Sequence, residues 1–123
     1  MTVLNIAHRG ARSLAPENTL AAARKGLELK ADLWELDVAV TADDELVVLH
    51  DDTLERTSNV QQVFPQRKPW EVWTFSLAEL RSLDFGTWFL ETDPFKQIQA
   101  GAVSLEEQAA YTGEPIPTLR EAL

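Results

Sequence analysis

The sequence predicts an α/β protein whose first two strands are parallel neighbours. Three observations carry this. A short apolar run of β-formers, Val3 to Ala7, is followed by a segment of helical periodicity. That segment leads into one that alternates apolar and polar residues. Imidazole, guanidinium and carboxylate groups gather in and just after the predicted strands, where α/β proteins place ligand and catalytic groups.

Val3 to Ala7 reads as a buried strand, with His8 and Arg9 at its C-terminal end and Gly10 closing it. Ala11 to Pro16 is a loop. Asn18 is the expected N-cap of a helix from about Thr19 to Lys30, where Leu20, Ala23, Leu27 and Ala31 recur at helical spacing. Leu33 to Thr41 reads as one strand. Trp34, Leu36, Val38 and Val40 share its buried face; Leu33, Glu35, Asp37 and Ala39 share the other. After a turn at Asp43-Asp44, Leu46 to Leu49 forms a third strand of the same sheet, ending at His50.

From Asp51 to Gly113 the pattern loosens into an insertion-like, loop-rich segment punctuated by Pro65, Pro69 and Pro94. Ser76 and Glu79 form a capping box ahead of Leu77, Leu80 and Leu83, and Ser104 with Glu107 forms another before a weaker helix. Trp34, Trp70, Trp73 and Trp88 are expected to serve packing. A third box, Thr118 with Glu121, opens a helix at the very end of the sequence. Isolated helices below ~12–15 residues are marginal. The expectation is therefore that residues 1–123 form the N-terminal part of a larger domain.

Eleven basic and 20 acidic residues give a net charge of −9, which argues against a nucleic-acid or anionic-membrane surface. No apolar run approaches the ~20 residues of a membrane span. The absence of cysteine excludes disulfides and thiolate zinc sites. With no basic, apolar leader in Met1 to Gly10, the setting expected is cytoplasmic.

Glu35 and Asp37 stand two apart on a predicted strand and would leave the same face. They form either a polar face or a site for a hard divalent cation, Mg²⁺ or Ca²⁺, which would relieve their repulsion. His8 and His50, the only two histidines, each follow a strand of what reads as the same sheet, with the Glu35 and Asp37 strand intervening. Each reads alone as a surface group; together they suit acid–base chemistry on an ester. Arg9 is either a surface ion pair or a fork for a phosphate. An acidic site that holds an anionic phosphate calls for a cation between them.

His8-Arg9-Gly10, Pro16-Glu17-Asn18-Thr19, Glu35-Leu36-Asp37-Val38, His50-Asp51-Asp52-Thr53-Leu54-Glu55-Arg56-Thr57 and Ile116-Pro117-Thr118-Leu119 together resemble the glycerophosphodiester phosphodiesterases. Leu80 to Leu83, Asp84, Gly86 and Trp88-Phe89 agree with this. The resemblance implies a TIM-type (β/α)8 barrel of which about the first half is present, with a loop-rich helical insertion over 51–113. It implies hydrolysis of small glycerophosphodiesters to glycerol 3-phosphate and an alcohol. His8 and His50 match the acid–base pair, Glu35 and Asp37 two metal ligands, Arg9 a phosphate contact, and Glu17 a motif acid without an assigned role. A third ligating acid would lie beyond Leu123. The 123 residues alone are accordingly expected to be weakly active or inactive, and to self-associate or pair with a complementing C-terminal half. The alternatives are a phosphodiesterase for phosphoinositide or sphingolipid head groups and a non-catalytic fragment.

Overall fold

A computed structural model describes residues 2–123. Strand β1 (Ile6–His8) lies parallel to β2 (Leu33–Glu35), as expected, with helix α1 (Leu20–Glu28) between them in sequence. The register sets His8 directly opposite Glu35. Strand β3 (Val38–Val40) turns back on β4 (Leu46–Val48) in an antiparallel hairpin.

The segment predicted as one strand therefore divides at Leu36-Asp37, and the strands form two separate two-stranded ladders rather than one sheet. The cause lies at Asp37. Its backbone N–H points to the Asn18 side chain, 3.4 Å from Oδ1, instead of joining the β1 ladder. Its carbonyl already belongs to the hairpin, accepting from Leu49 N–H at 2.9 Å. The bend aims the two halves of the segment at different partners.

Helix α1 is capped by Thr19, not by Asn18. The Thr19 hydroxyl accepts from Ala22 N–H and donates to the Pro16 carbonyl. Asn18 takes a left-handed conformation, φ 55°, and is 3% exposed. Gly10 is also left-handed, φ 80°, and a Cβ there would meet Ala22 Cβ at 2.6 Å. Only glycine lets the end of β1 run this close to α1.

The loosely patterned segment supplies most of the core. It contains α2 (Val60–Val63), a 3-10 turn (Val72–Thr74), α3 (Leu77–Arg81), α4 (Thr87–Thr92) and α5 (Leu105–Tyr111). Leu54, Val60, Trp70, Val72, Phe75, Leu80, Leu83 and Phe85 pack with Val47 and Leu49 of the hairpin and with Ile116. Phe75 is fully buried, so truncation to alanine would cost ~3–5 kcal/mol. A second cluster joins α1 to α4 and α5 through Ala21, Ala22, Phe89 and Tyr111. The Tyr111 hydroxyl donates to the Leu14 carbonyl, and burial pushes its pKa up to about 12.

All three capping boxes are present: Ser76 with Glu79, Ser104 with Glu107, and Thr118 with Glu121 ahead of α6 (Leu119–Ala122). Helix α4, which no periodicity announced, has its start tied down by Asp84. That carboxylate accepts from Gly86 N–H, Thr87 N–H and the Thr87 hydroxyl. The tryptophans divide: Trp70 is buried and Trp88 packs on the α1 cluster, but Trp73 is exposed.

The faces expected to be buried are partly open: Ile6 is 52% exposed, Val38 45% and Val40 43%, whereas Ala39, expected on the opposite face, packs against the core. Leu33, on that opposite face, is also exposed. No helix among the described residues is long and apolar enough to cross a membrane.

Candidate active site

The end of β1 and the first turn after it set the site. Arg9 is itself left-handed, φ 56°, which turns the chain sharply after His8. Arg9 N–H then donates to Glu35 Oε2 at 3.2 Å, and His8 Nε2 lies 3.6 Å from the same oxygen. The parallel register makes this meeting possible, since His8 and Glu35 are cross-strand partners.

The Arg9 guanidinium lies mostly buried between two carboxylates. Nη1 donates to Glu17 Oε2 at 3.3 Å, and Nε is 3.4 Å from Asp37 Oδ2. Nε is buried without a well-aligned hydrogen bond. Glu35 and Asp37 thus both meet Arg9, Glu35 at its backbone N–H and Asp37 at its guanidinium. Asp37 is held further by Asn18, whose Nδ2 donates to Oδ2 at 3.0 Å.

The second histidine stands at the end of β4. His50 Nδ1 is 2.7 Å from Asp51 Oδ1. Arg56 clasps Asp51, donating from Nε to Oδ2 at 2.7 Å and from Nη2 to Oδ1 at 3.0 Å. The Arg56 guanidinium holds the Asp51 carboxyl down at about 2, against the opposing effect of partial burial. Glu17 joins the two halves: its oxygens accept from Arg56 Nη1 and Nη2, both at 2.9 Å, while Oε2 also takes Arg9. The Trp88 ring lies 5.7 Å from the Arg56 guanidinium carbon.

Five of the six residues expected from the sequence lie on one chain of contacts, and Asp37 branches from it at Arg9. The chain runs from His8 through Glu35, Arg9, Glu17, Arg56 and Asp51 to His50. Asp51 and Arg56 received no role from the sequence, and Asn18 received only that of a helix cap. Arg56 and Asp51 carry a signal in hindsight: both lie in the block that begins at His50, and Arg56 is five residues from Asp51. Asn18 carried the wrong one, because an asparagine just before an apolar period reads first as a cap.

Among the described residues no group of three or more His, Asp or Glu side chains is arranged to hold a metal ion. Glu35 and Asp37 supply oxygen donors only, which suits a hard divalent cation and makes a partial set.

The chain belongs to the glycerophosphoryl diester phosphodiesterase family, whose model matches residues 8–123. Among curated relatives, a glycerophosphoinositol inositolphosphodiesterase of Mus musculus is 44% identical over 118 residues, 96% of this chain and 22% of the relative. A glycerophosphodiester phosphodiesterase of Bacillus subtilis is 36% identical over 121 residues, 98% of this chain and 35% of the relative. The crystal structure of the glycerophosphodiester phosphodiesterase from Agrobacterium tumefaciens matches with TM-score 0.71 and 34% identity, covering 96% of this chain and 40% of that one. An Oleispira antarctica phosphodiesterase solved with the product sn-glycerol-3-phosphate matches with TM-score 0.72 and 32% identity, covering 98% and 38%. The chain thus spans between about a fifth and two fifths of the length of these relatives.

Proposed function

We propose that this chain carries the two-histidine part of a phosphodiesterase site that hydrolyses glycerophosphodiesters to glycerol 3-phosphate and an alcohol. The observation that carries the reading is the continuous chain of polar contacts joining His8 to His50 through Arg9 and Glu17. The Oleispira relative, solved with sn-glycerol-3-phosphate, supports it. Completed by further strands, the fold is a (β/α)8 barrel with its site at the strand C-termini.

Arg9 and the imidazoles do the chain's own work. The Nη2 of Arg9 has no protein partner among the described residues, and it is the edge of the fork that meets a phosphate oxygen. His8 and His50 act as the acid–base pair: one removes the proton of the attacking hydroxyl or water, and the other protonates the departing alkoxide. Glu17, facing two guanidinium groups, holds both so that they need not rearrange as charge builds on the phosphoryl oxygens. Glu35 and Asp37 would hold Mg²⁺ or Ca²⁺ together with donors from outside these 123 residues. Such an ion supplies Lewis-acid stabilisation of the phosphoryl oxygen.

The test is release of glycerol 3-phosphate from glycerophosphocholine with added Mg²⁺ or Ca²⁺. It is run with the chain alone and with the chain joined to the C-terminal part of the Bacillus relative. Release by the joined protein that is lost on His50→Ala supports the reading; release indifferent to both histidines overturns it. The Mus musculus relative gives a second reading, an inositol head group, so glycerophosphoinositol belongs in the same assay with both products analysed.

A further inference from the structure

We propose that Arg56, anchored by Glu17, is a positioning residue that fixes the protonation geometry of His50 through Asp51. The inference rests on the phosphodiesterase reading for its purpose, though not for its test.

The argument begins with Asp51. Its carboxylate is ionised, so it can only accept hydrogen bonds. A contact of 2.7 Å between His50 Nδ1 and Asp51 Oδ1 then requires the proton to be on Nδ1. Neutral His50 is left with its lone pair on Nε2, and protonated His50 donates from Nε2. In both states the working nitrogen is Nε2. Fixing an imidazole tautomer by a carboxylate is a general way to prepare a proton-transfer group.

His50 and Asp51 are adjacent in sequence and partly exposed, so their contact alone would compete with water. Arg56 removes that freedom. It meets both Asp51 oxygens from one edge of its guanidinium and both Glu17 oxygens from the other. Two bidentate contacts fix the plane of the guanidinium. Glu17 is 8% exposed and cannot follow a moving Arg56 into solvent. Trp88 lies against the Arg56 guanidinium, and its Nε1 donates to the Phe85 carbonyl, which holds the ring in place. Because Glu17 also holds Arg9, the proton-transfer arm and the phosphate-binding arm share one fixed point.

The experiment reads the tautomer directly. The 123-residue chain is labelled with ¹⁵N-histidine, and long-range ¹H–¹⁵N spectra are recorded at a pH where both imidazoles are neutral. With two histidines, His8→Gln assigns the signals. The expected parent spectrum shows His50 in its Nδ1–H form. Arg56→Gln shifts His50 toward the Nε2–H form and leaves the His8 signals in place. Glu17→Gln, which releases the far end of Arg56, shifts it in the same direction. Circular dichroism confirms that each variant is folded, and Arg56→Lys is read if Arg56→Gln is not. A parent His50 in the Nε2–H form, or a folded Arg56 variant with the parent's tautomer, overturns the proposal. No turnover enters the measurement, so a chain that hydrolyses no diester leaves the test intact.

Discussion

Asn18 and Asp37 meet twice. The amide Nδ2 donates to Asp37 Oδ2 at 3.0 Å, and Oδ1 faces the Asp37 N–H at 3.4 Å. The pair bridges 19 residues and links the loop before α1 to the bend that separates β2 from β3. Asn18 also donates its backbone N–H to the Arg9 carbonyl at 2.9 Å, so one buried residue ties Arg9 through its main chain and Asp37 through its side chain.

Replacing Asn18 tests that role. Asn18→Ala leaves Asp37 without its amide and places alanine at φ 55°. Loss of the buried partner costs ~1–3 kcal/mol, and the left-handed backbone adds ~1 kcal/mol. Asn18→Gly keeps the backbone free and loses only the first part, so it should unfold at a higher urea concentration than Asn18→Ala. Asn18→Asp sets two carboxylates together and should be the least stable of the three. Equal urea midpoints for all three and the parent would remove Asn18 from the structure of the bend.

Asp51 gives the protein an acid-labile contact. Its folded-state pKa is about 2, below the ordinary aspartate value of 3.8, so folding favours the ionised form. The stabilisation is fully present above the ordinary value and fades as pH falls through about 2. Lowered carboxyls at Glu79, Glu107 and Glu121 act in the same direction, so the parent should lose stability across this window. Asp51→Asn should be less stable at neutral pH and show a shallower loss. Thermal midpoints from pH 5 to 2 measure both, and parallel curves would contradict the assignment.

What could be read from the sequence was local. Each capping box needs only residues three apart, and all three form. The β1–α1–β2 order follows from a change of apolar period, and the parallel pairing with it. The break at Leu36-Asp37 could not be read, because its cause is an asparagine 19 positions away in a conformation that sequence does not announce. The core in 51–113 was hidden for a related reason. Leu54, Trp70, Phe75 and Phe85 are buried one by one from loops and short helices, without any period. In the site, the residue types were legible from the blocks. The partner of each was not, since Glu17 meets Arg56 across 39 residues.

The open strand faces predict association. Ile6, Leu33, Val38, Val40 and Leu46 expose apolar side chains, and among the described residues no further strand joins the outer edges of β1, β2 or β3, whereas β4 is bridged by Thr118. The chain should gain apparent mass with concentration in light scattering. Val38→Lys with Leu33→Lys, both on exposed positions, should reduce that gain and leave circular dichroism unchanged. A sharp monomer at every concentration would count against it.

The histidines carry the last prediction. His8 and His50 approach the site from different ladders and contact different carboxylates, Glu35 and Asp51. If both transfer protons, each change to alanine should lower kcat by ~10²–10⁴-fold in the protein joined to the C-terminal part of its Bacillus relative. KM should change little, because neither imidazole is the main phosphate contact. Arg9→Lys should behave differently. Lysine keeps the charge but cannot meet Glu17, Asp37 and a phosphate oxygen at once, so KM should rise as kcat falls. The two histidine changes combined should cost less than the product of the single losses, because they serve one reaction coordinate. Full additivity would mean that the two imidazoles act on separate steps.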